Sequence, residues 1–300
     1  MLALTILGNN SAIPTYGRNP TAQVLQTHDE NYLIDCGEGT QSQLSKYKIK
    51  KSRINHIFIS HLHGDHYFGL IGLVTSMGLM NRQQDLHIYA PALLEQIINL
   101  QLAAADTVLP YKIIFHPLQG EGEIMSDKKI SVSAFKVNHR IDCNGFLFRE
   151  KKKPRSILPD RVRSYEIPEA YFGELQKGKD YITKKGTLIP NEEVTGPAPA
   201  PRSYAFCADT IYDESIAEKI RGVDLVYHET TYLKDLQERA AARFHSTTEQ
   251  AGTIAKIAGA KKLLIGHFSS KYESLDDFLS ETRAVFENTE LALEGVCFKI

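Results

Sequence analysis

Nowhere in its 300 residues does the chain have a run of about 20 consecutive apolar residues, the length a helix needs to cross a bilayer. No membrane span is expected. Cysteine is scarce and dispersed: Cys36, Cys143, Cys207 and Cys297 stand far apart, with no C-x-x-C pair. That pattern argues against a disulfide framework and for reduced thiols in a cytoplasmic protein. Neither charge sign is in excess. Lys+Arg 35 against Asp+Glu 36 leaves a net of −1, so no global basic field advertises a nucleic-acid partner. The opening stretch Leu2-Ala3-Leu4-Thr5-Ile6-Leu7-Gly8 has no basic segment and is short for a signal peptide, so it reads as a first strand. No long polar linker and no convincing internal repeat divides the chain. A hydrophobic content of 42% is ample for one large core, so a single domain over residues 1–300 is expected.

What the chain does have is histidine concentrated in one place. Ser60-His61-Leu62-His63-Gly64-Asp65-His66 follows the apolar run Ile54–Ile59 and carries the spacing H-x-H-x-D-H. Neutral imidazole and carboxylate are the nitrogen and oxygen ligands that zinc and similar divalent metals accept. Four such groups exceed what one catalytic zinc with an open position needs, so the spacing points to two metals. A polar loop that merely happens to be rich in histidine is the alternative. It leaves the rest of the pattern unexplained, because further metal-capable residues follow apolar runs downstream. His139 comes after 130–137, Asp209 after 204–208, His228-Glu229 after 223–227, and His267 after 262–266. Cys143, near His139, reads as a loop thiol rather than a ligand.

Periodicity predicts strands over 2–7, 21–26, 32–35, 85–90, 111–117, 130–138, 203–208, 223–228 and 262–266. It predicts helices over 39–46, 66–79, 92–104, 215–220, 247–258 and 275–286, the fifth opened by the hydroxyls of Ser246, Thr247 and Thr248 and the acid Glu249. The segment 149–201 breaks this rhythm. It is bounded by Pro154 and by Pro197, Pro199 and Pro201, and between Arg149 and Lys185 it holds eleven Lys/Arg against six Asp/Glu, a local net of +5. A charge run is usually a solvated face. Lying between two ligand-bearing strands, this one also fits an arm that reaches toward an anionic partner.

Together these residues resemble the metallo-β-lactamase superfamily and, within it, the short-form ribonuclease Z family of tRNA 3′-processing endonucleases. The resemblance spans nearly the whole chain. It rests on Leu7-Gly8, Pro14-Thr15 and Arg18-Asn19; Asp35-Cys36-Gly37-Glu38-Gly39-Thr40-Gln41; Ser60–His66; His139; Ala208-Asp209-Thr210; His228-Glu229-Thr230-Thr231; His245-Ser246-Thr247; and Gly266-His267-Phe268-Ser269-Ser270-Lys271-Tyr272. H-x-H-x-D-H alone marks only the superfamily, whereas Asp35–Gln41, the His-Glu-x-Thr and His-Ser-Thr elements and the arm's position narrow it.

The resemblance implies an α/β fold, an αββα sandwich of two mixed sheets flanked by helices, with the metals at one edge. It implies that His61, His63 and His139 hold one Zn2+, that Asp65, His66 and His267 hold a second, and that Asp209 bridges them, with Mn2+ or Fe2+ as substitutes. It implies catalytic roles for Asp65, His245 and Glu229, precursor tRNA as substrate, a homodimer, and a flexible tRNA-binding arm at 149–201. Asp65 would orient the attacking water. His245, charged by Glu229, would bind phosphate or protonate the leaving oxygen. Asp35 is expected behind a ligand histidine, and His28, His56, His87, His116 and His228 in structural roles. Lys151, Lys152, Lys153, Lys177 and Lys179 are the expected phosphate contacts, with Lys184 and Lys185 beside them. Two departures stand out. The arm reads Ile167-Pro168-Glu169-Ala170-Tyr171-Phe172-Gly173 where the family often has Gly-Pro, and Lys271 stands where arginine is common, keeping the charge without the planar fork. The competing reading is a small-molecule phosphodiesterase or arylsulfatase of the same superfamily, which would have no use for a basic insertion.

Overall fold

Strands form where branched and aromatic residues alternate or run together between turn residues, and two seven-stranded sheets result. The structure, a computed structural model, describes residues 2–300. In chain order the strands are β1 (Ala3–Gly8), β2 (Ala22–Gln26), β3 (Asn31–Ile34), β4 (Ile54–Phe58), β5 (Leu86–Ala90), β6 (Ile113–Pro117), β7 (Gly122–Ser126), β8 (Ile130–Val137) and β9 (Cys143–Glu150). Within the 149–201 segment lie the two-residue strands β10 (Ser156–Ile157), β11 (Tyr181–Ile182), β12 (Leu188–Ile189) and β13 (Thr195–Gly196). After them come β14 (Ser203–Phe206), β15 (Leu225–Glu229), β16 (Lys262–Gly266), β17 (Thr289–Leu291) and β18 (Cys297–Lys299). One sheet runs β18-β1-β2-β3-β4-β5-β6 and the other β17-β16-β15-β14-β9-β8-β7. β3 through β6 are parallel, as are β14 through β17, whereas β18, β1, β2 and β3 pair antiparallel. The expected mixed sheets are therefore present. β4 falls on the apolar run Ile54–Ile59, and β7, β9, β17 and β18 are four further strands of these sheets.

The helices are α1 (Thr40–Lys46), α2 (Gly64–Tyr67), α3 (Leu70–Leu79), α4 (Leu93–Ala104), α5 (Pro159–Ser164), α6 (Phe172–Gln176), α7 (Asn191–Val194), α8 (Ser215–Lys219), α9 (Gln237–Ala242), α10 (Thr248–Ala258) and α11 (Asp276–Val285). Leu44 of α1, Leu70, Leu73, Val74 and Met77 of α3, and Leu94 and Ile98 of α4 bury against Val24, Leu33, Ile57, Leu86 and Ile88 on one face of the first sheet. On its other face Phe58 meets Phe146 and Phe148 at ring-centroid distances of 5.6 and 5.2 Å, and Tyr32 meets Phe148 at 6.2 Å, so the two sheets stack through aromatic rings. α10 packs on β15 and β16. At its start the backbone N–H of Thr247 donates to Gln250 Oε1 at 3.0 Å, the reciprocal half of a capping box. Where one helix over 66–79 was expected there are two, broken at Phe68-Gly69. A Cβ on Gly69 would lie 2.2 Å from the Gly37 carbonyl oxygen, so the break lets two loops touch at backbone distance.

Two compact units emerge. The larger ends at Met125, resumes over Val132–Phe148 and again from Ser203 to Ile300; the smaller comprises Ser126–Ser131 and Arg149–Arg202. The smaller unit has a core of its own, Val162, Ile167, Leu175, Ile189 and Val194, with Tyr165, Tyr171, Phe172 and Tyr181 packed around it. β10 pairs with β13 and β11 with β12. At its base Arg202 Nε donates to Glu150 Oε2 at 2.7 Å. Although partial burial opposes the charge, that pairing with Arg202 and Lys153 holds the Glu150 carboxyl at about 2. The segment expected as an arm thus lies within a small folded unit.

Candidate metal centre

Parallel strands deliver their C-terminal ends to one edge of a sheet, and three of the candidate ligands follow such an end. His61 follows β4, Asp209 follows β14, and His267 follows β16, while His139 follows β8. The chain turns sharply there. Asp35, Ala208 and His267 adopt left-handed φ values of 54°, 50° and 60°, each a strain on the order of 1–3 kcal/mol that the surrounding packing must hold.

The ring nitrogens converge. His61 Nε2 lies 3.0 Å from His63 Nδ1, and His139 Nε2 lies 3.1 Å from the same atom. Three nitrogens held at about 2.0–2.1 Å around one tetrahedral zinc would stand about 3.3 Å apart, close to what is seen. A second set, Asp65, His66 and His267, lies alongside: Asp65 Oδ2 is 3.6 Å from His66 Nε2 and 3.4 Å from His267 Nε2. Asp209 stands between the sets. Its Oδ2 is 3.8 Å from His61 Nε2 and 3.5 Å from His66 Nε2, and its Oδ1 is 3.3 Å from His267 Nε2.

These residues fit metal ions by two tests. His66 Nε2 and His267 Nε2 are buried without a hydrogen-bond partner, an arrangement that costs stability unless something else meets them. Protonation states agree. Burial, reinforced by neighbouring imidazoles, pushes His61 far below its ordinary pKa and His63 down to about 4, and burial also lowers His139, so all three offer neutral lone pairs. His66 goes the other way. Burial disfavours its charge, yet Asp209, Asp65 and Asp35 around it overcome that and demand a cation at the ring, which a proton or a divalent metal would satisfy.

Behind each of four ligand-type rings stands a second partner. His66 Nδ1 donates to Asp35 Oδ2 at 2.7 Å, His139 Nδ1 to the Phe244 carbonyl at 2.8 Å, and His267 Nδ1 to Thr231 Oγ1 at 2.9 Å. His61 Nδ1 donates to Ser60 Oγ at 3.0 Å, and that hydroxyl donates on to Asp35 Oδ2 at 2.9 Å. Asp35 therefore stands where expected, orienting two rings at once. Cys143 does not: it opens β9 rather than sitting in a loop, buried with Sγ 3.5 Å from His61 Nδ1. Burial first, then Asp209 and Asp35, raises its thiol far above the ordinary value, and it belongs to none of the clustered ligand groups.

Beside these candidate ligands, Glu229 is fully buried and fully met. Oε1 accepts from His245 Nδ1 at 2.9 Å, Ser246 N at 3.0 Å and Thr210 N at 3.2 Å; Oε2 accepts from Thr231 N at 2.9 Å and Thr231 Oγ1 at 2.8 Å. Burial opposes charge on His245, but Glu229, with Asp209 behind it, raises the ring to about 9. Because Nδ1 is committed to Glu229, the ring is not aimed at a metal through that atom, although it lies 4.0 Å from Asp209 Oδ2. His228 is buried with Nδ1 on the Glu229 carbonyl at 2.7 Å, a structural placement as expected.

A cleft of about 450 Å³ opens over this centre, lined by His63, Asp65, Asp209, His245 and His267, and also by Ile13, Phe68 and Arg140. Sequence reasoning passed over the last three. Arg140 adjoins His139, the one signal that pointed to it, and Phe68 looked like part of a helix face. Lys271 is absent from this lining; it is exposed, its Nζ 5.4 Å from the centroid of the Tyr272 ring. In the smaller unit the expected lysines are all exposed, but not alike. Lys153 bonds Glu150 at 3.3 Å, and Lys177 and Lys179 share Glu174.

The first half of the chain, residues 2–152, matches the family model of the anti-Pycsar protein Apyc1. That half carries His61 through His139 but not Asp209, Glu229, His245 or His267. Full-length similarity is to curated proteins named ribonuclease Z. The one from Bacteroides fragilis strain YCH46 is 44% identical over 299 residues, covering 99% of this chain and 98% of that one. The one from Bacteroides thetaiotaomicron is 44% identical over 299 residues, covering 99% and 95%. Among solved structures, human tRNase Z, short form, superposes with a TM-score of 0.74 at 27% identity over 99% of both chains. The metallo-β-lactamase fold protein YhfI from Bacillus subtilis superposes with a TM-score of 0.71 at 20% identity, covering 99% and 98%, a likeness of fold. With its first half also fitting the Apyc1 family model, the chain belongs to the ribonuclease Z family and carries the metallo-β-lactamase fold.

Proposed function

We propose that this protein is a metal-dependent endoribonuclease that cuts precursor tRNA on its 3′ side, removing the trailer and leaving a 3′-hydroxyl on the tRNA. The observation that carries the reading is the convergence of six ligand-type side chains on Asp209, beside the imidazole–carboxylate pair of His245 and Glu229. Imidazole nitrogen and carboxylate oxygen without thiolate suit zinc, with Mn2+ or Fe2+ as substitutes. Two ions per chain fit the two sets: His61, His63 and His139; Asp65, His66 and His267; with Asp209 common to both. Bound there, the metals would ionise water near neutral pH and offset charge on the phosphoryl oxygens.

The chain's own residues do the rest. Asp65 Oδ2 is held by the Ala12 N–H at 2.8 Å, which leaves Oδ1 to orient the attacking water or accept its proton. As water adds to phosphorus, the P–O3′ bond breaks. His245, kept charged by Glu229, gives its proton to the departing O3′. Arg140 lines the same cleft with no carboxylate partner among the described residues, a ready contact for a non-bridging oxygen. The smaller unit, with Lys151, Lys152, Lys184 and Lys185 exposed and without side-chain partners among the described residues, is the tRNA-binding arm. The exposed apolar side chains of Leu79 and Met80 at the end of α3, Leu93 and Leu100 on α4, and Val108 beyond it support a homodimer. Four free thiols suit the cytoplasm.

The test is a labelled precursor tRNA run beside a chromogenic bis-nitrophenyl phosphate. A single cut at the 3′ side with a 3′-hydroxyl product, abolished by a chelator, is the expected result. Turnover of the small diester alone would move the protein to the small-molecule hydrolases.

A further inference from the structure

Phe68 is a large apolar side chain left 62% exposed, and it lies in the lining of the metal cleft rather than scattered on an outer face. Its neighbours in sequence behave differently: Leu70 and Leu73 are fully buried in the helix–sheet core. The ring is not loose. A Cβ placed on Gly64 would stand 2.1 Å from Phe68 Cε2 and 2.4 Å from Cζ, so the ring lies directly against the backbone of the ligand loop. Gly64 is not among the residues of positive φ, so its lack of a side chain serves space rather than conformation. Tyr67 meets the ring edge-on at 5.0 Å. Across the loop, Ala12 N–H is tied to Asp65 Oδ2 at 2.8 Å, which brings Ile13, 54% exposed, into the same lining.

A flat aromatic face, clamped on one side and open on the other, beside the atoms that would receive a phosphodiester, is a platform for a planar apolar surface. Bases offer one whatever their identity. Resting on the endoribonuclease reading above, we infer that Phe68 stacks on the base of a nucleotide flanking the scissile phosphate and so seats that phosphate over the metal ligands. Gly64 is the residue that lets the ring lie where this contact needs it. The contact is indifferent to which base is present, so it supports cleavage of trailers that differ in sequence.

The test is a cycle between residue and base. Wild type, F68A, F68L and F68W are each assayed on three precursor tRNAs: intact, abasic at the last retained nucleotide, and abasic at the first trailer nucleotide. F68A and F68L should lose roughly tenfold in kcat/KM on the intact substrate, while F68W stays near wild type. On one of the two abasic substrates wild type should itself be slow, and F68A and F68L should lose nothing further. Metal content is measured on every variant. Should F68A shed metal, F68L, which keeps the bulk against Gly64, decides the matter. Wild-type rates for F68L, or the same loss on all three substrates, would overturn the stacking role alone. A wild-type enzyme that cuts no precursor tRNA would bring down the endoribonuclease reading beneath it.

Discussion

A histidine here takes its role from what its second nitrogen touches. His61, His66, His139 and His267 hand Nδ1 to an acceptor behind them and turn Nε2 inward; His245 gives Nδ1 to buried Glu229, as His66 does to Asp35, but it is Nδ1 rather than Nε2 that lies near Asp209. The two classes should separate under mutation. Asp209→Ala removes the oxygens common to both sets, so elemental analysis should find metal reduced and hydrolysis lost. His245→Ala should keep its metal complement yet cut tRNA about 100-fold more slowly or worse, with a smaller loss on the nitrophenyl diester, whose leaving group needs less protonation. Equal loss on both substrates would instead assign His245 to phosphate binding. The ligand types and their strand-end positions were readable in the sequence because each follows an apolar run. Arg140 and Phe68 were not, because a cleft's lining is gathered from loops that sequence spacing does not bring together.

Elements were legible where a periodic pattern was long. α4, expected over 92–104, spans Leu93–Ala104, and α10, expected over 247–258, spans Thr248–Ala258. β17 and β18 are three residues each and owe their pairing to β16 and β1 rather than to any pattern of their own. The same holds for the break between α2 and α3. Apolar periodicity runs straight through 66–79, but tertiary contact overrides it: Gly69 N donates to the Cys36 carbonyl at 2.9 Å, and the Cys36 N–H in turn reaches the His66 carbonyl at 2.8 Å. This ties the Asp35–Gln41 loop to the ligand loop backbone to backbone. Gly69→Ala would drive a methyl to 2.2 Å from the Gly37 oxygen, and backbone rather than a pliant side chain must give way. A loss of about 1–3 kcal/mol in urea unfolding is expected, with metal content falling as the loop is displaced. An unchanged midpoint would mean that the two loops can part at no cost.

At the scale of the molecule, the proposed function divides catalysis from recognition, the first on a sheet sandwich that carries every candidate metal ligand and the second on a small unit with a local excess of positive charge. The insertion could be read from its prolines and its net of +5 between Arg149 and Lys185. Its folded core could not, since Val162, Ile167, Leu175, Ile189 and Val194 are spaced without helix or strand period and meet only in three dimensions. The structure also redistributes its charge. Glu174 pairs with Lys177 and Lys179, exposed or half-exposed pairs worth little that a phosphate can displace, and Lys153 pairs with the largely buried Glu150. Lys151, Lys152, Lys184 and Lys185 are exposed without such partners among the described residues. Replacing residues 151 to 195 with a short Gly/Ser linker retains Glu150 and Arg202 at the base and leaves the sandwich its own core. Metal content and turnover of the small diester should therefore stay near wild type. Binding of precursor tRNA should weaken by about tenfold or more, and the slope of log affinity against log salt should flatten as phosphate contacts are lost. Alanine at Lys151, Lys152, Lys184 and Lys185 together should reproduce much of that flattening, whereas alanine at Lys177 and Lys179 should do less. A linker variant that processes tRNA with wild-type affinity and salt response would place recognition on the sandwich instead.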